Sequence, residues 1–245
     1  MKGIILAGGT GQRLHPLTRV TNKHLLPVYD RPMIYHAIEQ LVTAGLSEIM
    51  IVTGGNHAGE FLRLLGNGSA FGLRHLDYTY QERAGGIAEA LGLTEYFAEE
   101  GPLAVLLGDN IFEFSLAASI GNFRQEPEGA MVLLSEVEDP SAYGVAELRD
   151  GRIVRIIEKP AVPPSRFAVT GLYLYDHRVF EIVRGLRPSG RGELEITDVN
   201  NAYLERGVLR HEIVNGYWAD CGESIEGLMN ASALVAKRGA NKPLD

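Results

Sequence analysis

A glycine-rich segment near the start of the chain has the composition of a phosphate-binding loop. The segment Leu6–Arg13 (LAGGTGQR) follows the apolar run Gly3–Ala7, which predicts a buried strand. Glycines let the backbone approach a ligand and point N–H groups at phosphate oxygens. The segment lacks the Gly-Lys-Ser/Thr ending of a P-loop, and Leu14 stands where a dinucleotide-binding fingerprint needs its third glycine. The glycines of this loop are Gly8, Gly9 and Gly11.

Two cations belong to this loop and its extension. Arg13 and Lys23 are placed to neutralise the β- and γ-phosphates of a triphosphate and to support a leaving pyrophosphate. The alternative is that both are solvated surface cations. The sequence by itself leaves both interpretations open.

Two carboxylates each follow a segment that predicts a strand. Asp109 comes directly after the apolar run Pro102–Leu107, with Asn110 beside it, and Asp220 ends the run Tyr217–Asp220. Carboxylate oxygens are the hard ligands that Mg²⁺ prefers, so the pair could hold one Mg²⁺ with a triphosphate completing its ligands. The alternative for each is an Asp that caps a turn. The sequence does not show whether the two side chains meet.

A third group of residues suits a sugar phosphate. Glu158 can accept two sugar hydroxyls and Lys159 can hold a phosphate, although a strand-end ion pair is the alternative interpretation. The segments Tyr143-Gly144-Val145 and Thr170-Gly171 belong to the same candidate sugar-phosphate site as Glu158 and Lys159.

Gln81 and Gly86 could contact a nucleobase edge, since an amide both donates and accepts. No zinc-protease histidine spacing and no G-x-S-x-G elbow is present in the sequence.

Strands and helices alternate up to residue 107, which predicts an α/β fold with a Rossmann-like, mainly parallel twisted sheet and helices on both faces. The predicted strands are Gly3–Ala7, Ser47–Thr53, Leu76–Gln81 and Pro102–Leu107, and the predicted helices are Pro32–Ala44, His57–Leu65 and Ile87–Phe97.

The second half of the chain predicts antiparallel strands, with Asp150-Gly151 as a hairpin turn and Thr197 as a helix cap. Its predicted strands are Ala130–Glu136, Gly144–Leu148, Ile153–Glu158, Phe167–Tyr175, His211–Val214 and Tyr217–Asp220. Its predicted helices are Arg178–Arg184, Thr197–Gly207 and Glu223–Lys237.

Composition limits the classes of function. The 245 residues carry a formal net charge of -8, which argues against a general nucleic-acid binder. The single cysteine, Cys221, excludes an intrachain disulfide. No run approaches the roughly 20 apolar residues of a membrane span, and no signal peptide is evident. We therefore expect a cytoplasmic protein that binds neither nucleic acid nor membrane.

Taken together, these motifs resemble the nucleotidyltransferases that make nucleotide sugars, and most closely the glucose-1-phosphate thymidylyltransferases. The glycine–arginine loop is specific to the superfamily, and the run Arg191–Gly207 points to the thymidylyltransferase branch. The matching segments span residues 2 to about 222 and include KGIILAGGTGQRLHPLT, VLLGDN, YGVAEL, EKP, FAVTGLYLYD, RGELEITDVNNAYLERG and WADCG.

The resemblance implies a role for each matching position. It makes Asp109 and Asp220 the Mg²⁺ ligands, places Arg13 and Lys23 on the triphosphate, and places Lys159 on the sugar phosphate. It assigns the base to Leu6, Gly8, Gln81 and Gly86, and the predicted nucleotide-binding set adds Gly9, Gly11, Arg13 and Asp109. It assigns the sugar to Gly144, Glu158, Val169 and Gly171, and the predicted sugar-phosphate set adds Asn110, Tyr143 and Lys159.

The implied reaction uses dTTP and glucose 1-phosphate, with direct in-line attack of the sugar phosphate on the α-phosphorus. We expect one domain over residues 1–245, with a nucleotide-binding half over about 1–125 and a sugar-phosphate-binding half over about 126–245. The alternatives are an enzyme that uses UTP or both nucleotides, an idle relative that senses sugar nucleotides, and a nicotinamide-linked dehydrogenase. Leu14 argues against the dehydrogenase, and the retained Asp109 and Asp220 argue against the sensor.

The sequence departs from the family pattern at three places. Gly85 stands where the resemblance predicts an acidic residue, and Cys221 stands where Thr is more usual. The long bacterial form continues past the last predicted helix as a helical tail that helps build a regulatory site and a tetramer. This sequence resembles a short form without that tail, so whether it forms a homo-oligomer, as a dimer or a tetramer, and whether its product controls it are left open.

Overall fold

The computed structural model describes residues 1–242. The strands are β1 (Lys2–Ala7), β2 (Pro27–Val28), β3 (Arg31–Pro32), β4 (Glu48–Gly54), β5 (His75–Gln81), β6 (Leu103–Leu107), β7 (Asn110–Phe112), β8 (Ala130–Glu136), β9 (Gly144–Arg149), β10 (Arg152–Glu158), β11 (Phe167–Tyr175), β12 (Leu209–Ile213) and β13 (Trp218–Asp220). The α-helices are α1 (Met33–Thr43), α2 (Ala58–Leu65), α3 (Ile87–Gly92), α4 (Glu95–Ala98), α5 (Ala117–Gln125), α6 (Val179–Gly185), α7 (Ile196–Glu205) and α8 (Ile225–Arg238).

The first half of the chain builds a parallel sheet, as the alternation of strand and helix predicts. β1 pairs in parallel with both β4 and β6, and β5 adds in parallel to β4. Strands buried on both faces need a continuous apolar run, and β1 has one in Ile4, Ile5 and Leu6. The carboxyl ends of these strands therefore lie along one edge of the sheet, where open α/β sheets bind ligands.

The second half continues the same sheet with antiparallel strands. β11 pairs antiparallel with β6, β8 and β9. The β9–β10 hairpin turns at Asp150 and Gly151, whose φ angles of 49° and 72° suit the turn that an Asp-Gly pair favours. The α/β fold with an added antiparallel part is therefore confirmed, whereas the division into two halves stays a prediction.

Alternating side chains of the central strands bury against helices on the two faces of the sheet. On one face, Ile4 and Val105 lie in a cluster with residues of α3, α6 and α7. On the other, Ile5 and Leu106 lie with residues of α1, α2 and α5. In a third cluster, α8 packs against Val28 and Ile111, so the last helix supports the β7–β13 strand pair.

Two local predictions were wrong, and one helix was not predicted. The segment Ile87–Phe97 forms two short helices, because the buried Thr94 hydroxyl donates to the carbonyl of Leu91 at 2.7 Å and the chain turns there. Thr197 does not cap α7; it lies inside the helix, and Glu195 precedes the first turn without a side-chain cap. The helix α5 was not predicted from the sequence, because its stretch mixes glycine and polar residues.

Within residues 1–242, no helix is long and apolar enough to cross a membrane.

Candidate active site

A cavity of about 210 Å³ opens at the carboxyl ends of β1, β5 and β6. We call it the nucleotide cavity. It takes in most of the positions that the sequence assigned to nucleotide binding: Leu6, Gly8, Gly9, Lys23, Gln81, Gly86 and Asp109. Gly11 is not part of its lining. Gly11 instead adopts a φ of 65° and its carbonyl accepts the Thr18 hydroxyl at 2.7 Å, so it shapes the loop.

A second cavity of about 220 Å³ lies next to the first. We call it the sugar-phosphate cavity. Its lining includes every residue that the sequence assigned to the sugar phosphate, together with Arg13 and both candidate metal ligands: Arg13, Asp109, Asn110, Tyr143, Gly144, Glu158, Lys159, Val169, Gly171 and Asp220. Five residues line both cavities: Lys23, Ile87, Leu107, Asp109 and Glu193. Two ligands in these cavities would therefore meet at Lys23 and Asp109.

A short strand pair brings the two carboxylates into one place. β7 and β13 run antiparallel, with Asn110 opposite Asp220. The backbone N–H of Cys221 donates to the Asp109 carbonyl at 2.9 Å, which extends this pairing by one residue. The Lys23 ammonium pairs with the Asp109 carboxylate. Residues that are more than a hundred positions apart thus share one wall of the sugar-phosphate cavity.

The charges at this wall are unbalanced. Burial opposes ionisation of Asp109, but the Lys23 ammonium outweighs it and holds the pKa of Asp109 well below its usual range. Burial and the neighbouring Asp109 charge raise the pKa of Asp220 well above its usual range. Burial acts against Lys23, yet the two carboxylates raise its pKa. One ammonium therefore stabilises one carboxylate, and a further cation would favour the ionised form of both.

The chemistry of the site fits a divalent cation. Both candidate ligands are carboxylates, which suit Mg²⁺. Gly222 follows Asp220 and donates its N–H to the Asp220 carboxylate at 2.8 Å. A Cβ at position 222 would overlap the Asp109 carboxylate and lie 2.6 Å from Lys23 Nζ, so glycine at this position makes room for the Asp109–Lys23 ion pair. Among residues 1–242, no group of three or more His, Cys, Asp or Glu side chains is placed to hold a metal. Substrate oxygens would therefore complete the ligands.

The sugar-phosphate cavity is preorganised by hydrogen bonds. The Glu158 carboxylate accepts from the Thr197 hydroxyl at 2.6 Å and from Arg191 at 3.4 Å. Asn110 Oδ1 accepts from the Gly171 N–H at 2.9 Å and from Trp218 Nε1 at 2.6 Å. These bonds hold a carboxylate and an amide in fixed positions on the cavity wall.

Arg13 lies on the sugar-phosphate side of the loop and pairs with Glu223. Lys159 has a φ of 44°, and its backbone N–H donates to the Tyr143 carbonyl at 2.9 Å. That contact fixes the end of β10 beside Tyr143. Both cations therefore line the same cavity from different elements.

Sequence reasoning missed several residues that line these cavities. Glu193 lines both, and Arg191, Thr197, Trp218 and Glu223 line the second. Trp218 also packs edge-on against Tyr143 with ring centroids 4.9 Å apart. Three of these residues, Arg191, Glu193 and Thr197, could have been proposed from the sequence. They lie in the run Arg191–Thr197, which is dense in charged side chains immediately before a helix.

His24 carries a pH-dependent prediction. Burial and the neighbouring Lys23 ammonium lower the pKa of His24 to about 3. Below about pH 6.5 the unfolded chain binds a proton at this position while the folded chain does not until about pH 3. The free energy of unfolding should therefore decrease as the pH is lowered across this window, by up to about 1.4 kcal/mol per pH unit.

We expect His24→Asn to flatten the decrease in melting temperature measured between about pH 6.5 and pH 4. The exposed His75 provides the matched control, and His75→Asn should keep the wild-type slope. Equal slopes for His24→Asn and the wild type would contradict the prediction.

Sequence comparison identifies the family to which this fold and its two joined cavities belong. The family model described as nucleotidyl transferase matches residues 2–238. The chain belongs to this family.

Similar proteins narrow the class. The chain is 49% identical to a glucose-1-phosphate thymidylyltransferase of Actinoplanes sp. over 91% of its length and 74% of that protein. It is 44% identical to a protein of the same name from Neisseria gonorrhoeae, over 96% of the chain and 82% of the relative.

Solved structures agree on the fold. A crystal structure from Bacillus anthracis, assigned as a glucose-1-phosphate thymidylyltransferase in complex with sucrose, superposes with a TM-score of 0.91 at 51% identity, covering 96% of this chain and 94% of that one. A UDP-glucose pyrophosphorylase complexed with UDP-glucose superposes with a TM-score of 0.81 at 27% identity, covering 96% of this chain and 98% of the other.

Proposed function

We propose that this protein transfers a thymidylyl group from dTTP to glucose 1-phosphate, giving dTDP-glucose and pyrophosphate, with Mg²⁺ as cofactor. The observation that carries the proposal is the position of Asp109 and Lys23 on the wall shared by the two cavities, with Asp220 beside them. Two phosphate-bearing substrates would meet there. The shared name of the relatives supports the choice of base and sugar.

Each cavity would take one substrate. The base and ribose of dTTP enter the nucleotide cavity, with the base near Leu6, Gln81 and Gly86. The triphosphate follows the glycine loop toward Lys23 and Arg13, and Arg13 exchanges its contact with Glu223 for the phosphates. In the neighbouring cavity the sugar hydroxyls bind Glu158, and Lys159 holds the sugar phosphate.

The reaction is a direct displacement. An oxygen of the sugar phosphate attacks the α-phosphorus in line, the new P–O bond forms, and the bond to the leaving pyrophosphate breaks. Lys159 orients the attacking phosphate, and Arg13 and Lys23 neutralise charge on the triphosphate. Mg²⁺ held by Asp109 and Asp220 would supply a divalent charge that reduces the repulsion between the two phosphate groups. We also propose that the enzyme works in the cytoplasm.

The proposal is tested by pyrophosphate release with glucose 1-phosphate and Mg²⁺, run in parallel with dTTP, UTP, CTP, ATP and GTP. We expect dTTP to give the highest kcat/KM. Omission of glucose 1-phosphate, or addition of EDTA in excess over Mg²⁺, should stop release. If no nucleotide supports release, the proposed substrate pair is wrong.

UTP is the second candidate nucleotide. The similarity to a structure that binds UDP-glucose favours it, at 27% identity. Thymine and uracil differ by one methyl group, and a pocket that recognises one methyl discriminates by only about 10- to 200-fold. Release with UTP that equals or exceeds release with dTTP would keep the mechanism and change the base.

A further inference from the structure

The side-chain amide of Gln81 is held in one orientation within the nucleotide cavity. Gln81 is 7% exposed. Its Nε2 donates to the Gly86 carbonyl at 3.2 Å and to Glu89 Oε1 at 3.2 Å. An amide nitrogen has two hydrogens, so these bonds use both of its donors. What remains for a ligand is the carbonyl oxygen.

Glu89 is itself fixed in place. It lies in the first turn of α3, where a carboxylate is favoured by the helix dipole. Its Oε2 accepts from Arg83 Nε at 3.3 Å and Arg83 Nη2 at 3.2 Å. Its carboxylate packs against Gly85, where an added Cβ would overlap it. Glycine at position 85 thus admits the carboxylate that sets the Gln81 amide.

The free oxygen of Gln81 lies beside Gly8, which lines the same cavity. A Cβ added at Gly8 would lie 2.9 Å from Gln81 Oε1. Among the hydrogen bonds of residues 1–242, no protein group donates to this oxygen. The cavity therefore presents a hydrogen-bond acceptor at this point. Thymine and uracil carry a donor at N3, whereas the N3 of cytosine is an acceptor that an amide oxygen repels.

We propose that Glu89 is a positioning residue that makes this cavity select pyrimidines with a protonated N3 over cytosine. Glu89 does not touch the base; it acts by preventing the Gln81 amide from turning over. The inference deepens the proposed function and depends on its placement of the base beside Gln81. It assigns the preference for thymine or uracil to one carboxylate on α3.

The test measures equilibrium binding of dUDP and dCDP by calorimetry, without sugar phosphate. These two ligands differ only at the base edge and not by the thymine methyl. We expect the wild type to prefer dUDP. In Glu89→Ala the preference should fall by roughly tenfold or more, since tenfold is the lower end of what one hydrogen bond to a charged group contributes. Glu89→Gln retains an acceptor oxygen and should recover most of the preference.

Two further variants keep the test decisive. Arg83→Ala removes the exposed partner of Glu89 but leaves the amide contact, so its dUDP preference should stay within about twofold of the wild type. Gly85→Ala should displace the Glu89 carboxylate and reduce the preference as Glu89→Ala does, which provides a second route if Glu89→Ala does not fold. Circular dichroism checks folding.

An unchanged dUDP-to-dCDP ratio in folded Glu89→Ala would overturn the inference, whether the affinities themselves stay constant or both weaken equally. Failure of the proposed function has a different signature. A wild type that binds dUDP over dCDP but releases no pyrophosphate would refute the reaction and leave the role of Glu89 intact.

Discussion

Replacing Asp109 with Asn is expected to lower kcat/KM for pyrophosphate release by about a thousandfold or more, the scale on which preorganised charge contributes to catalysis. The substitution keeps the shape of the side chain and removes a proposed ligand of Mg²⁺. It also leaves the largely buried Lys23 ammonium without its ion-pair partner. Because a buried unpaired charge is costly, Asp109→Asn should also lower the melting temperature of the metal-free protein.

Asp220→Asn should separate the two effects. Activity should fall by a similar factor, since the second proposed ligand is lost. The metal-free fold should be as stable as the wild type or more stable, because burial and Asp109 already disfavour the Asp220 charge. The exposed Asp77 supplies the control, and Asp77→Asn should change neither activity nor melting temperature. Equal loss of stability in Asp109→Asn and Asp220→Asn would contradict a site in which Lys23 stabilises the charge of Asp109 but the charge of Asp220 is disfavoured.

The second large effect is expected for Gly222→Ala. The added methyl group would overlap the Asp109 carboxylate and lie 2.6 Å from Lys23 Nζ. Because Gly222 is absent from the glycines with positive φ, the backbone itself accepts alanine. The cost should therefore fall on the geometry of the charged group, and displacement by about 1 Å can cost roughly a hundredfold in rate.

The readouts for Gly222→Ala are kcat/KM for pyrophosphate release and the melting temperature. Gly121 in α5 is the matched control, since a Cβ there meets no atom within 4 Å. Gly121→Ala should keep full activity and gain about 0.5–1 kcal/mol of stability from its helical position. Full activity of Gly222→Ala would show that this space is not needed for catalysis.

The parts of the fold that follow from local pattern could be predicted. β1 and the glycine loop were predictable because a buried apolar run ends at glycines, and the β9–β10 hairpin because Asp150-Gly151 favours its turn. The helix α5 was not, since its burial depends on Ile120 and Phe123 meeting the sheet face. The break after α3 was not either, because the Thr94 hydroxyl bond competes with helix periodicity.

The candidate site, like the fold, could be predicted only where local sequence pattern determines it. Asp109 could be singled out because it follows a buried strand, but its proximity to Asp220 depends on the pairing of β7 with β13. That pairing joins distant parts of the chain, so no local pattern encodes it. Glu89 shows a further limit. Nothing in its immediate sequence predicts a contact with Gln81, which arises only when α3 packs beside the end of β5.

The most direct test of the account follows the phosphate of the sugar. Glucose 1-phosphate labelled with radioactive phosphorus is incubated with dTTP, Mg²⁺ and the protein, and the products are separated. If the protein transfers the thymidylyl group, the label appears in dTDP-glucose while unlabelled pyrophosphate is released from dTTP in equal amount. Label released as inorganic phosphate, or retained in glucose 1-phosphate while dTTP is consumed, would contradict nucleotidyl transfer.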